Sequence, residues 1–497
     1  DNLPAVLAAI ASKADAGTET DSLSKVQAVI TTAAAAQTAA INVIATYAQD
    51  NTTGLALATG TAPAITDFSD AGVTGVDSSN LPAIKDALAS ASVNGAAANT
   101  TAEVQAIVNT YNAILAEANG VTADATPGVN PTAAQYALIG ADIGLAATDA
   151  ENLALLDDIV AAQATTGVDT IAEINDLARI ANALQSVAAG GTPALTPADF
   201  TKVGLSGVTT DNLPAVLAAI AAKTDAGTET DSLSELQALI TAAAAAQVTA
   251  INKIAAYAET GLTAPLEADY AAAGVAGVSA ANLGAINDAI NSQKGPDTTL
   301  GNANDKEGAD TTAEVQAIVN AYNAILGEAN DTTSAAGDTT PDATPAADPS
   351  AANYAQIGAD IGLAATDAEN LNLLNDIIGG LQTTDVNSIA KINALATIAN
   401  AIQTVAANGS APLTAADFAH VGLAGVTTDN LPAVLAAIAA TTNDGSQTDS
   451  LSELQALITN AANAAASALD AISAYAELNS TGLASAASAP PLQGDYA

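Results

Sequence analysis

Pro197-Ala-Asp-Phe-Thr-Lys-Val-Gly-Leu-Ser-Gly-Val-Thr-Thr-Asp-Asn-Leu-Pro-Ala-Val-Leu-Ala-Ala-Ile220 decides the reading of this chain. Its skeleton is an aromatic residue, a Gly-apolar-x-Gly turn, an Asn-Leu pair and an apolar helix. The aromatic recurs at Phe68, Tyr136, Phe200, Tyr270, Tyr354, Phe418 and Tyr496. The pair recurs at Asn2, Asn80, Asn152, Asn212, Asn282, Asn370 and Asn430. Repetition at a fixed scale is the signature of an array, in which each unit cannot bury its apolar face alone.

The repeat has two levels. Neighbouring Asn-Leu pairs lie about 60 to 90 residues apart, and the units come in three flavours. Asn2, Asn212 and Asn430 open Asn-Leu-Pro-Ala-Val-Leu-Ala-Ala-Ile. Asn152 and Asn370 follow Gly-Ala-Asp-Ile-Gly-Leu-Ala-Ala-Thr-Asp-Ala-Glu, and Asn80 and Asn282 form the third flavour. Within residues 1–30, only positions 12, 14, 25, 26 and 29 differ from 211–240. A superrepeat of three units describes this.

The organisation that follows is a partial unit at 1–62 and units at 63–130, 131–192 and 193–260. It continues with 261–348 (carrying acidic loop insertions), 349–410 and 411–489, and 490–497 starts another. Each unit reads as short helix, Gly turn, middle helix, loop and long helix. Leu23, Val26, Ile30, Ala33, Ile41 and Ile44 form one stripe at helical spacing, and so do Val104, Ile107, Val108, Tyr111, Ile114 and Leu115. Thr100/Glu103, Thr148/Glu151, Thr170/Glu173 and Ser232/Glu235 have capping-box spacing. Thr196-Pro197 fits a cap and a first helical residue. Spacings of three and four, not two, argue against strands. The predicted fold is all-α: a tandem array of three-helix units, elongated.

Composition bounds function. The net charge is −43, from 53 acidic and 10 basic residues. Phosphate neutralisation needs Lys and Arg, so nucleic acid is excluded as an electrostatic partner. Anionic membrane surfaces are disfavoured too. No run approaches the roughly 18 to 20 apolar residues of a span, and membrane insertion is not expected. Self-repulsion at this charge calls for screening by salt or divalent cations. Without cysteine there is no disulfide or thiol chemistry. The chain starts inside one unit and stops inside another, which reads as an excerpt of a longer array or a processed subunit.

Sites follow the same logic. Catalysis lacks a base: the single histidine, His420, stands where Lys202 stands one superrepeat earlier. No catalytic or cofactor-binding residue is assigned, and the chain is read as not an enzyme. Calcium is the one chemical candidate, because hard cations take oxygen ligands. Asn302, Asn304, Asp305, Glu307 and Asp310 form an oxygen-rich loop, though Lys306 breaks the EF-hand pattern. The repeated aromatics read as core anchors. Self-assembly candidates lie at the two ends: Asn2 and Leu3 against Asp495 and Tyr496, complementary halves of one unit whose head-to-tail splice gives an open polymer.

Asp-Phe/Tyr-x3-Gly-Val-x-Gly-Val-Thr-x2-Asn-Leu, with Thr-Thr-Ala-Glu-Val-Gln-Ala-Ile-Val-Asn-x-Tyr-Asn-Ala-Ile-Leu at 100–115 and 311–326, resembles a known pattern. It is similar to the Ala/Thr/Asp-rich tandem repeats of giant secreted bacterial surface proteins, adhesin-like, biofilm-associated or S-layer-like. The resemblance covers nearly the whole chain. It implies an extracellular, cell-surface structural role, either as a self-associating homopolymer (filament, sheath or surface layer) or as a passive stalk that presents a binding domain.

Overall fold

The computed structural model describes residues 2–13, 19–52, 61–118, 130–223, 229–293, 309–329, 348–441, 447–480 and 490–491. The chain is all-helical, with no strand among the described residues. It divides into two compact units, Asp1–Ala245 and Ala246–Ala497.

The first unit holds α1 (Leu3–Ala11), α2 (Leu23–Thr52), α3 (Ile65–Asp70), α4 (Leu81–Leu88), α5 (Thr101–Glu117), α6 (Ala133–Leu138), α7 (Ala150–Ala162), α8 (Ile171–Ala188), α9 (Pro197–Lys202), α10 (Leu213–Ala221) and the start of α11 (Leu233–Thr260). The second holds the rest of α11, then α12 (Glu267–Ala272), α13 (Leu283–Ser292), α14 (Thr312–Ala329), α15 (Ala351–Gln356), α16 (Ala368–Gly379), α17 (Ile389–Ala406), α18 (Ala415–His420), α19 (Leu431–Ala439) and α20 (Leu451–Ser480). Five short 3₁₀ turns, such as Gly95–Ala97 and Gly144–Ala147, lie among the described residues, and the periodicity did not reveal them.

Each unit has its own core. In the first, Ile84, Val104, Ile107, Leu155, Ile174, Leu236 and Ile240 are among the fully covered residues. In the second, Ile254, Ile286, Ile318, Leu373, Ile392, Leu454 and Ile458 play that part. The repeated aromatics Phe68, Tyr136, Phe200, Tyr270, Tyr354 and Phe418 are all fully buried, so the anchor reading holds for each described copy. One such ring contributes about 2–3 kcal/mol by burial, a large term in a core otherwise built from Ala, Val, Leu and Ile.

Two expectations change. Thr148 is not the cap of α7: its N–H and hydroxyl both turn back to the Leu145 carbonyl, ending the 3₁₀ turn. Asp149 caps instead, accepting the N–H groups of Glu151 and Asn152 at 3.0 and 3.1 Å, and Asp367 does the same for α16. The stripe of α2 is also less buried than its spacing implies, because Leu23 is 90% exposed. Its counterpart Leu233 is 4% exposed, under a contact from α7 described below.

Two helices, Leu23–Gln49 and Leu233–Thr260, are long and apolar enough to cross a membrane. Neither helix contains a long uninterrupted apolar run, because Thr and Gln break it while Ala keeps the mean hydropathy high. Both helices also turn a buried glutamine, Gln37 and Gln247, toward a threonine hydroxyl.

Candidate functional site

The features that recur are clasps between elements. The first holds the Gly turn. In the stretch 72–80, Asn80 lies 8% exposed and accepts the Asp77 N–H at 2.8 Å. Its Nδ2 donates to the Gly75 carbonyl and to Asn112 Oδ1, both at 2.7 Å. Asn212, Asn282 and Asn430 repeat the bond to the turn carbonyl. In these four copies the asparagine of the Asn-Leu pair is a turn clasp, whereas Asn152 and Asn370 donate to Asn182 and Asn400, which hold the Ile143 and Ile361 carbonyls. A glutamine from the long helix grips the same turn: Gln105 Oε1 accepts from the Thr74 N–H while its Nε2 donates to the Thr74 carbonyl. Gln237, Gln316 and Gln455 do this for Ser206, Ala276 and Ala424.

The second clasp satisfies the free N–H groups at the start of a long helix, which have no partner within the helix. Asp86 on α4 accepts the Ile171 N–H at 2.5 Å. Asp158 on α7 accepts that of Leu233 at 2.5 Å. Asp288 on α13 takes that of Ile389 at 2.7 Å, and Asp376 on α16 takes that of Leu451. All four acids sit six residues beyond an Asn-Leu asparagine. Where that position is alanine (Ala8, Ala218, Ala436), the next contact is of another kind: Gln37 donates to Thr101 at 2.9 Å and Gln247 to Thr312 at 2.8 Å. Burial pushes the carboxyls of Asp158 and Asp376 above their ordinary range, even though each accepts an N–H.

Acid pairs flank these helix starts. Burial and a mutual side-chain hydrogen bond raise Asp169 beside Glu173, Glu235 beside Asp231, and Glu453 beside Asp449. The counterparts of Asp169 and Glu173 in the second unit are Asn387 and Lys391, and there the ammonium donates to Asn387 Oδ1 and the Thr384 carbonyl. Among the described residues, no group of three or more His, Cys, Asp or Glu side chains could hold a metal ion.

The third clasp is a tyrosine hydroxyl on a polar residue five beyond the Asn-Leu asparagine. Tyr136 donates to Asp157, Tyr270 to Asn287 and Tyr354 to Asn375, at 3.0, 2.7 and 2.6 Å. Where the aromatic is Phe68, Phe200 or Phe418, that position is Lys85, Leu217 or Leu435. This pairing is written in the sequence: tyrosine goes with an amide or acid, phenylalanine with neither.

The expected site residues fall as follows. Asn302, Asn304, Asp305 and Glu307 lie outside the described residues, as do Asp495 and Tyr496. Asp310 lies just before α14, where its N–H donates to Glu314 Oε2 at 3.3 Å. Burial works to raise the Glu314 carboxyl, but hydrogen bonds from Asp310 and Thr311 leave it below its ordinary range. Asn2 gives its carbonyl to the Val6 N–H at 3.0 Å, and Leu3 is 62% exposed. His420 is exposed in the last turn of α18. A hollow of about 550 Å³ is a groove lined mainly by small residues of α1 and α2, including Ala5, Ala9, Ala33 and Ala36. It carries no cluster of reactive side chains.

No family model matches the chain, and no curated protein or solved structure matches it significantly.

Proposed function

We propose that this chain is a structural protein of an extracellular bacterial assembly, built as an elongated tandem array of three-helix units that self-associates. The observation that carries the reading is the acid at four like positions (Asp86, Asp158, Asp288, Asp376), each reaching a helix start in the following repeat. An enzyme concentrates its chemistry in one constellation. Here the same contact is made again and again, as expected when neighbour-to-neighbour packing is the product. The net charge of −43 supports a role for cations, calcium among them, in letting such surfaces approach. Neither a nucleic-acid partner nor membrane insertion is part of this reading.

Electron microscopy of the purified 497-residue chain, with calcium and with chelator, tests it alongside the light-scattering mass. Ordered filaments or sheets are the expected result, and their loss in chelator is expected if cations bridge copies. Discrete monomers in both conditions would overturn self-association. They would favour the second reading, a passive stalk of a giant surface adhesin, which the strong like-charge repulsion between acidic copies supports.

A further inference from the structure

Two of the three tyrosine clasps end in an asparagine that works as a relay. Asn287 accepts from Tyr270 through Oδ1, and its Nδ2 donates to the Pro265 carbonyl at 3.0 Å. Asn375 accepts from Tyr354, and its Nδ2 donates to the Pro349 carbonyl at 2.9 Å. The third has the same hydroxyl contact but another relay. Tyr136 donates to Oδ1 of Asp157, which is 4% exposed, and the like proline is Pro131. A carboxylate has acceptors only, whereas a carboxylic acid adds one O–H donor. If Asp157 is placed like Asn287 and Asn375, its second oxygen faces the Pro131 carbonyl, and ionised it would set two acceptors against each other in a mostly buried place, which costs free energy. A protonated Asp157 reproduces the asparagine: oxygen toward the hydroxyl, hydrogen toward the carbonyl.

We propose that the folded chain holds Asp157 as a neutral carboxylic acid that donates its proton to the Pro131 carbonyl, so that the docking of residues 130–138 on α7 is pH-sensitive while its like, 348–356 on α16, is not. The charges around it agree. From α6 it meets only the Tyr136 hydroxyl, and from α5 it faces the Glu117 carboxyl, an acid that is itself 7% exposed. On α7, the neighbouring Asp158 is turned to Leu233. On α8, Asp176 and Arg179 are engaged with Lys202 and Asp199. The 3₁₀ turn Gly144–Ala147 carries no charge. Nothing cationic is among the causes acting on Asp157. Burial first, then Glu117, pushes it up to about 7 against the pull of the Tyr136 hydroxyl. In the second unit, Glu328 and Asp348 lie near Tyr354, but the relay between them is the uncharged Asn375.

The sign is fixed by the direction of the shift. A carboxyl raised in the folded state favours folding fully below its ordinary value near 4, and that favour is lost as pH climbs to 7 and beyond. Hydrogen exchange of the whole chain provides an internal control, because residues 130–138 and 348–356 are like segments. Between pH 5.5 and 8.5, protection of 130–138 relative to 348–356 is expected to fall by about tenfold or more. Asp157→Asn should hold that ratio level, and Asn375→Asp should transfer the fall to 348–356. A ratio that stays flat in the unaltered chain, or a fall that persists in D157N, would overturn the proposal. So would a D157N chain less protected than the parent at pH 8.5.

Discussion

Asp158 Oδ2 accepts the main-chain N–H of Leu233 at 2.5 Å, across 75 residues of sequence. A side chain inside one helix thereby serves as the cap of another. The helix dipole and the free N–H groups at the start of α11 favour the negative charge there. Partial burial of Asp158 works against that benefit and raises its carboxyl. Asp158→Ala removes the acceptor and is expected to cost about 1–2 kcal/mol. Asp158→Asn keeps an acceptor oxygen without a buried charge and should cost less than half as much. Urea unfolding gives the totals, and hydrogen exchange at Leu233, Ser234 and Glu235 localises them. Unchanged exchange in D158A would mean that the contact does not cap α11.

Gly144 and Gly190 separate two reasons for glycine. Both have positive φ, +56° and +81°. A Cβ on Gly144 would stand 2.7 Å from Asn182 Nδ2, and Asn182 also holds the Ile143 carbonyl and the Asn152 side chain. A Cβ on Gly190 meets nothing within 4 Å. The like position in the second unit is Asn408, a non-glycine at φ +58°. Gly190→Ala should therefore cost about 1 kcal/mol for the backbone alone, and Gly190→Asn less. Gly144→Ala adds a displaced asparagine network and should cost about 2–4 kcal/mol. Chemical denaturation of the three variants checks the order. Equal losses for G144A and G190A would show that the network yields freely.

Much of this architecture was legible because the repeat multiplies weak signals. One capping box is a modest pattern, but Thr100/Glu103, Thr170/Glu173 and Ser232/Glu235 at like places reinforce one another: the first two form in full, and in the third Ser232 accepts the Glu235 N–H while its hydroxyl donates to the Glu235 carboxylate. The buried aromatics were legible for the same reason. Thr148 misled because a 3₁₀ turn with no periodic signature used its hydroxyl first. The clasps were harder to read. Gln105 and Asn80 look like ordinary polar residues on a helix and in a turn, and their roles come from partners about 30 residues away. Asp86 and Asp158 carry no local mark either, since the group that each satisfies lies 85 and 75 residues onward. The pairing of tyrosine with Asp157, Asn287 or Asn375 was open to a comparison of the copies, since the phenylalanine copies have Lys85, Leu217 and Leu435 there.

Charge sets the last expectation, and two groups of carboxyls pull it in opposite directions. Asp157, Asp158, Asp169, Glu235, Asp376 and Glu453 are raised, each mainly by burial. Their folded forms bind protons more readily than the unfolded chain does. The stability that they contribute is complete below the ordinary carboxylate range and is lost as pH rises through their raised values, for Asp157 about 7. Asp176 is lowered, first by its hydrogen bond with Lys202; despite burial, Asp199 is lowered first by Arg179, and Asp269 first by the Leu266 N–H and then by Lys253. Their contribution is complete above the ordinary carboxylate range and is lost as pH falls through their depressed values. These bridges are partly exposed and each is worth at most about 1 kcal/mol. Asp157, Asp158 and Asp376 are the most deeply buried of all these carboxyls, and acidification also reduces the net charge of −43. The thermal midpoint should therefore climb between pH 8 and pH 5.5 and turn downward only below about pH 4. At pH 8, raising sodium chloride from 0.05 to 0.5 M shortens the screening length to roughly a third and should also raise the midpoint. Differential scanning calorimetry across both series settles the sign. A midpoint that falls steadily from pH 8 to 5.5 would mean that the lysine and arginine bridges outweigh the buried carboxyls.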